Sequence, residues 1–251
     1  MRTLRNFLQN ISNHLIEFLN PNILIDYIIL LAIAVFVLLP FLKFFKWWRR
    51  WSLLRSVTST RRGTPSEREL ILSLLKMGYK APTIFHDLYV EKRNGKYSQI
   101  DAVVITKVGI VVIEVKDYSG MIFGSGNQNY WTQVLAGGRE KHRFYNPILQ
   151  NSGHINALKS RVRSMANIPF HSVVIFYGNC ELQDIDHIPA DTYIGYAEDL
   201  KQIMKGIKKK NPTVKYGNTQ KLVDVLRESV ANGKSRKIVR QHIEDVKAYS
   251  R

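Results

Sequence analysis

Apolar positions along the chain recur with two spacings, one typical of strands and one typical of helices. Two β-branched runs, residues 100–105 and 110–115, flank a short turn that ends at Gly109, which predicts an antiparallel hairpin. Helical spacing follows Thr64-Pro65, a sequence typical of a helix start. Further strands are predicted at residues 79–91, 97–105, 121–124, 131–135, 143–144, 173–177 and 193–194, and further helices at 146–165, 197–208, 219–231 and 235–250. This order predicts an α/β fold, with a mixed central sheet flanked by helices.

The N-terminal part contains one long segment that is almost entirely apolar. Its uninterrupted part, residues 27–42, is 16 residues long, short of the about 20 residues that an apolar helix needs to cross a bilayer, and inclusion of Ile23–Ile25 with snorkelling by Lys43 makes up the deficit. A flank with three tryptophans follows, and residues 43–62 carry seven Lys or Arg and no acidic residue. Interfacial tryptophans and basic cytoplasmic flanks accompany transmembrane helices. The sequence therefore predicts a transmembrane helix at 23–45, although a buried core helix is the alternative.

The remaining segments complete the predicted organisation. Residues 1–22 have a weak amphipathic pattern, which suits either a segment lying on a membrane surface or a short helix of no special role. Residues 46–62 are predicted as a basic juxtamembrane linker, residues 63–180 as the main domain and residues 181–251 as a C-terminal helical extension. The predicted protein is thus a single-pass protein of a bacterial inner membrane, with its C-terminal domain in the cytoplasm.

Charge and cysteine content narrow the class of partner and compartment. The formal net charge is +17, which favours a polyanionic partner such as nucleic acid or an anionic membrane surface. Residues 1–62 hold nine basic and two acidic residues, so much of the excess lies outside the main domain. The single cysteine, Cys180, excludes an internal disulfide framework and is compatible with a reducing compartment.

The predicted hairpin carries acidic residues where a hairpin would not favour them. If Lys107 and Val108 form the turn, Asp101 and Glu114 lie opposite each other on one face. Opposed like charges repel at a separation of about 5 Å, so a positive group is expected between them. Lys116 points to the same face because it lies two residues beyond Glu114. A divalent cation would neutralise the pair more fully, since paired carboxylates are preferred hard ligands.

An Asp, a hairpin and then Glu-x-Lys resemble the core of the PD-(D/E)xK nuclease superfamily. The longer text, QID followed by GIVVIEVKDYSG and NPILQNSGH, is similar to the nuclease-related domain family, NERD. The similarity runs from about Gly63 to about Phe176. The chain departs from the family pattern at three positions, since Ser66 replaces a Gly, Ala102 a frequent His and Asp117 a frequent Asn.

The resemblance implies a restriction-endonuclease-like sheet and metal-dependent hydrolysis of nucleic-acid phosphodiester bonds, with DNA favoured over RNA. It implies that Asp101, Glu114 and the carbonyl of Val115 hold Mg²⁺ or Mn²⁺, which would polarise the phosphate and activate a water. Lys116 would stabilise charge that develops on the phosphate. Gln150, on the helix that starts at 146, would orient a site group or a substrate phosphate.

Several residues near this motif have two interpretations. Glu67 suits a capping box with Thr64, but it also lies in the middle of the apolar face of its helix, where the resemblance places a site carboxylate. His154 is one turn from Gln150 and is more often structural than a ligand in such a position. Tyr118 and Trp131 could stack on bases, although aromatics beside a strand are more often buried.

Two other functions remain open from the sequence. The domain could bind nucleic acid or another partner at the membrane without cutting it, while residues 23–51 contact lipid. Alternatively, the acidic pair could form a structural ion-pair network with Lys116 in an envelope or signalling protein. Metal titration separates this network from both metal-site hypotheses, because the network alone would not bind Mg²⁺ or Mn²⁺ specifically.

The charge asymmetry predicts the topology of the chain. We expect residues 1–21 to lie outside the cytoplasm and residues after Lys46 to lie inside, because the basic flank follows the apolar segment. A reporter enzyme that is active only in the cytoplasm should therefore be active when it is fused after Arg251. The same reporter inserted after residue 21 of the full chain, ahead of the apolar helix, is the control and should be silent. The opposite pair of results would overturn the predicted orientation.

Overall fold

The structure, a computed structural model, describes residues 5–11, 21–162 and 168–249 and divides the chain into two compact units, residues 1–52 and 53–251. Residues 5–11 are helical. The longer helices are α1 (Pro21–Arg55), α2 (Pro65–Lys76), α3 (Pro147–Arg161), α4 (Leu200–Lys210), α5 (Thr219–Asn232) and α6 (Arg236–Tyr249). The strands are β1 (Ile84–Glu91), β2 (Tyr97–Thr106), β3 (Gly109–Asp117), β4 (Gly120–Ser125), β5 (Tyr130–Leu135), β6 (Glu140–Tyr145), β7 (Phe170–Tyr177), β8 (Cys180–Asp186) and β9 (Thr192–Tyr196).

The first unit is dominated by α1, which is long and apolar enough to cross a membrane. Residues 24–50 are all exposed, as expected for side chains that would face lipid rather than a protein core. Within the basic flank, the rings of Trp47 and Trp51 stack with their centroids 6.2 Å apart, because residues four apart lie on one helix face. Most of the predicted segment 1–22 lies outside the described residues.

Residues 46–62, predicted as a basic juxtamembrane linker, are partly helical and partly held by side-chain contacts. The helix α1 continues to Arg55, and the residues after it belong to the second unit. Thr58 Oγ1 lies 2.7 Å from His86 Nδ1, and Arg62 Nε donates to Asp87 Oδ2 at 2.8 Å. These side-chain contacts explain why a stretch that is polar in sequence is nevertheless ordered at its C-terminal end.

The second unit is built on a five-stranded mixed sheet with the strand order β1-β2-β3-β7-β9. Strands β1, β2 and β3 are antiparallel neighbours, whereas β3, β7 and β9 run parallel. The predicted α/β class with a mixed central sheet is confirmed. The predicted hairpin register is also confirmed, since Ile105 pairs with Ile110 and Ala102 with Ile113.

Helices cover both faces of this sheet. On one face, α2 and α4 bury Leu70, Leu74 and Met204 against the sheet. On the other face, Leu158 from α3 and Leu226 from α5 are buried in a second apolar cluster. Burial of this kind contributes about 25 cal/mol per Å² of apolar surface, so both layers stabilise the sheet that carries the acidic pair.

A second sheet of four strands, in the order β6-β5-β4-β8, was not predicted as a separate layer. Strand β8 was missed because its sequence, CELQDID, is mostly polar and only Cys180 within it is buried. Trp131 of β5 is fully buried, its ring lies parallel to that of Phe176, and its Nε1 donates to the carbonyl of Ser125. This burial excludes base stacking by Trp131 in the folded protein.

Two further expectations about element bounds change. The strand predicted at 79–91 begins only at Ile84, because Ala81–Thr83 forms a 3₁₀ turn that contains Pro82. The C-terminal segment 181–251 is not purely helical, since it also supplies most of β8 and all of β9. Its helix α5 packs on β1 through Leu222 and Leu226. The domain bounds predicted at residues 63, 180 and 181 stay predictions.

Candidate active site

The site forms where β2 and β3 stop pairing. The last paired residues are Ala102 and Ile113, and the same count places Asp101 opposite Glu114. Asp101 Oδ2 instead accepts a hydrogen bond from the backbone N–H of Val115 at 2.8 Å. Removal from water and the negative charges of Glu114 and Glu67 raise the pKa of Asp101 well above its ordinary value. The predicted repulsion between opposed carboxylates is therefore expressed mainly at Asp101.

Lys116 and Gln150 meet on the same face as Glu114. The Lys116 ammonium lies 2.7 Å from Glu114 Oε1 and donates to Gln150 Oε1 at 2.9 Å. Burial opposes ionisation of Glu114, but Lys116 and His154 outweigh it and lower the pKa of this carboxyl. Burial lowers the pKa of Lys116, and the adjacent Glu114 more than reverses that effect. Both groups therefore stay charged around neutral pH.

Helix α3 places Gln150 because its start is fixed on the second sheet. Asn146 is fully buried, and its Oδ1 accepts from the backbone N–H of Ile148 as the helix N-cap. Its side-chain amide also donates to the carbonyls of Ser125 and Gln128. The Asn-Pro part of the motif is thus structural, and it aims the first turn of α3 at the end of β3.

His154, which the sequence favoured as structural, lies in the site. Its Nδ1 is 2.8 Å from Ser98 Oγ, and its Nε2 is 3.2 Å from Glu114 Oε2. The orientation of this second contact does not satisfy hydrogen-bond geometry, so both buried atoms lack a well-formed partner. The sequence did indicate that His154 shares a helix face with Gln150, because the two residues are four apart. It did not indicate which strand that face covers, so the contact with Glu114 could not be predicted.

The two carboxylate oxygens of Glu67 make different contacts. Its Oε1 accepts from the backbone N–H of Thr64 at 3.2 Å, which confirms the capping box. Its Oε2 points inward and lies 3.2 Å from Nε2 of the buried His86. Burial raises the pKa of Glu67, but His86 and Thr64 outweigh it, so the net shift is downward. Glu67 acts on Asp101 through its charge rather than through a direct contact.

Two of the departures from the family pattern contact each other. The hydroxyl of Ser66 donates to the carboxylate of Asp117, which joins the first turn of α2 to the end of β3. A glycine at position 66 could not make this bond. The third departure, Ala102, pairs across β1 and β2 with His86, so an imidazole is still supplied to this part of the site from the neighbouring strand.

The donor set for a metal consists of oxygen atoms. Among the described residues, no group of three or more His, Cys, Asp or Glu side chains converges as a metal site. The predicted set needs only two carboxylates, from Asp101 and Glu114, with the carbonyl of Val115. In an extended strand the N–H and C=O of one residue point to the same edge, so the Val115 carbonyl also faces Asp101. Hard oxygen donors and a poorly satisfied Glu114 Oε2 fit Mg²⁺ or Mn²⁺.

Comparison with known proteins agrees with the sequence resemblance. Residues 62–177 match the nuclease-related domain family, NERD, and this range contains every residue of the site described above. The chain is 30% identical over 144 residues to an uncharacterised protein of Bacillus anthracis, in an alignment that covers 57% of this chain and 66% of that protein. No solved structure gives a significant match. Residues 62–177 of this chain therefore have the sequence features of the nuclease-related domain family, NERD.

Proposed function

We propose that the protein is a membrane-anchored nuclease that hydrolyses nucleic-acid phosphodiester bonds with Mg²⁺ or Mn²⁺, with DNA favoured over RNA. The observation that carries this proposal is the geometry at the end of β3. There Glu114 contacts Lys116, Lys116 contacts Gln150, and the Asp101 carboxyl, whose pKa is raised by burial and by Glu114 and Glu67, has no cationic partner among the described residues. The match of residues 62–177 to the nuclease-related domain family supports the proposal.

Each side chain has a specific part in this proposal. Asp101, Glu114 and the Val115 carbonyl would hold the cation, which supplies a polarised phosphate and a water of lowered pKa. Lys116, held in place by Gln150, would donate to a phosphate oxygen as negative charge develops there. Preorganisation of this ammonium matters because a charge that is already positioned needs no reorganisation during the reaction.

Glu67 and the helix α1 complete the proposal. Glu67 adds a third negative charge near Asp101, which strengthens the attraction of the site for a cation. The apolar helix α1 would anchor the protein in a membrane, with the nuclease-related domain on the cytoplasmic side. Lipid would contact residues 23–51, and the basic residues that end this segment would lie at the headgroups.

The first test is a cleavage assay on the full chain in a non-ionic detergent. We expect cleavage of DNA with Mg²⁺ or Mn²⁺ and none with chelator. Lys116→Ala should lower turnover by a factor on the order of 10²–10³, the usual loss when one transition-state charge stabiliser is removed. Lys107→Ala is the control, since Lys107 is exposed in the turn at the other end of the same hairpin. Metal-independent cleavage, or equal rates for the two variants, would contradict the proposed mechanism.

A second test uses the raised pKa of Asp101. The folded protein holds this proton more tightly than the unfolded chain does, so ionisation of Asp101 destabilises the fold as the pH rises through its folded-state pKa. In chelator at neutral pH, Asp101→Asn should therefore leave the melting temperature unchanged or raise it. The difference in melting temperature between Asp101→Asn and wild type should disappear once the pH falls below the ordinary pKa of an Asp side chain, because Asp101 is then protonated in both the folded and the unfolded state.

The same melting curves are then recorded in the presence of Mg²⁺. Mg²⁺ should raise the melting temperature of wild type by mass action, but not that of Asp101→Asn. Asp224→Asn, an exposed change on α5, is the control and should behave as wild type does. A structural ion-pair network predicts the reverse, because breaking a buried pair typically costs about 3–5 kcal/mol. A large loss of stability in chelator, without a Mg²⁺ effect on wild type, would favour that network.

A third test separates the two roles of Glu67. Glu67→Gln should keep most of the cap, because Gln also serves in a capping box, while it lowers metal affinity or turnover. Glu69→Gln is the control on the same helix. Its carboxylate is about one third exposed and lies 4.0 Å from Lys76, a contact worth roughly 0–1 kcal/mol. If calorimetric Mg²⁺ affinity and turnover respond equally weakly to both changes, Glu67 is a cap alone.

A further inference from the structure

The hairpin of β5 and β6 has two different faces. Tyr130 pairs with Tyr145, and Thr132 pairs with Arg143, so these four side chains share one face. The other face packs Trp131 and Phe144 into the core beneath the small sheet, as the third apolar cluster of the domain. The first face is turned to solvent, and nothing in the core of the protein requires aromatic residues there.

Two tyrosines lie exposed beside each other on that face. Tyr130 is 49% exposed and Tyr145 is 48% exposed. Their ring centroids are 6.1 Å apart and the ring planes lie at 79°, so each ring offers a separate flat surface. The guanidinium carbon of Arg143 lies 4.9 Å from the centre of the Tyr130 ring, which holds both groups in place.

The charge on this face is positive. Lys141 and Arg143 are exposed on β6 and point to the same side as the tyrosines, by strand alternation. The acidic residue of the strand, Glu140, alternates to the other side, where it lies 3.8 Å from His142. The negative charge of Glu140 therefore lies on the side of β6 opposite to the exposed tyrosines.

Polar side chains extend the same surface. An open recess of about 620 Å³ is lined by Gln128, Asn129, Tyr130, Thr132 and Arg143. Amide and hydroxyl groups beside an aromatic ring can hydrogen-bond to base edges and sugars, whereas a lipid-binding surface would place aliphatic side chains there. The composition of the recess thus favours nucleic acid over a membrane surface.

The other face of the hairpin, through Phe144, packs beside the candidate active site. The rings of Tyr118 and Phe144 lie 4.5 Å apart, and Tyr118 is within electrostatic reach of Lys116 and Glu114. Tyr145 directly precedes Asn146, the N-cap of the helix that carries Gln150. The hairpin is therefore a neighbour of the site in the fold, both through its buried face and along the chain.

We propose that the exposed face of the β5–β6 hairpin binds single-stranded nucleic acid next to the cleavage site. Bases would stack on the rings of Tyr130 and Tyr145, and Arg143 and Lys141 would contact the phosphates. A tyrosine ring can stack only on a base whose flat face is exposed. Bases of a single strand can expose this face, whereas bases inside a duplex are stacked on each other. This inference rests on the proposed nuclease function and names the form of its substrate, a strand that is single near the cut.

The test measures binding by fluorescence anisotropy in chelator, so that no cleavage occurs, with the full chain in a non-ionic detergent. The probes are labelled single strands of DNA and of RNA of about 15 nucleotides, and a DNA duplex of the same sequence. Tyr130→Ala and Tyr145→Ala should each weaken single-strand binding by roughly 5- to 100-fold. Tyr130→Phe and Tyr145→Phe should bind as wild type does, since they keep the ring. Duplex binding should change less than single-strand binding.

A charge variant provides an independent measurement. Arg143→Gln should lower single-strand affinity and reduce the slope of log affinity against log salt by about 0.7, the value for one phosphate contact. Lys210→Gln is the matched control, because the Lys210 ammonium lies 5.9 Å from the Tyr193 ring on a strand of the other sheet. This control loses the same charge from a similar pair and should leave the slope unchanged. Equal effects of the two changes would show a general effect of net charge and overturn the proposal.

The remaining outcomes also decide the matter. Tyr130 and Tyr145 are half exposed, so melting temperatures should change little in any of these variants. Unchanged single-strand affinity in both Ala variants overturns the proposal, as does equal loss in the Ala and Phe variants. If wild type cleaves DNA while the hairpin variants bind normally, this inference fails and the proposed nuclease stands. If the hairpin variants lose binding but wild type never cleaves, binding stands and hydrolysis fails.

Discussion

The repulsion between Asp101 and Glu114 is the constraint on which the site depends. Two carboxylates at opposed positions of a hairpin need a cation, and the fold supplies Lys116 to one of them. Glu67, the third carboxylate, is held by Thr64 and His86. Among the described residues, Asp101 makes no ion pair, and a single backbone N–H from Val115 offsets its burial. The unfavourable charge is therefore concentrated on one side chain, where a divalent cation would relieve it.

The rest of the domain holds these charges in place. Helices α2 and α3 both begin at a proline that follows a side-chain cap, Thr64 in one and Asn146 in the other. Glu67 and Gln150 lie in the first turn of these helices or just after it, next to the cap hydrogen bonds, whereas His154 lies one turn further along. The bond from Ser66 to Asp117 then fixes α2 directly to the strand that carries the charges. Both helices also pack on the sheet that carries Asp101 and Glu114.

Local signals allowed much of this arrangement to be predicted from the sequence. The turn length determined which residues of β2 and β3 face each other, and the period of two placed Lys116 beside Glu114. His86 and His154 were not predicted as site residues, because their contacts depend on which strand each residue lies against. The polar strand β8 and the second sheet were missed for a related reason. Their stability comes from pairing with distant segments and from burial of Trp131, neither of which leaves a local pattern.

A fourth carboxylate shows how the fold limits the charge near Asp101. Strand pairing skips Asp87, which would otherwise lie directly opposite Asp101 and instead adopts a left-handed backbone with φ of 54°. Its carboxylate is 2.8 Å from Arg62 and accepts a bond from Gln99. Arg62 also donates to the carbonyl of Val230, so it links this neutralised charge to the end of α5. The last arginine of the basic flank therefore serves the domain rather than the lipid surface, and it leaves Asp101 as the carboxylate available to a cation.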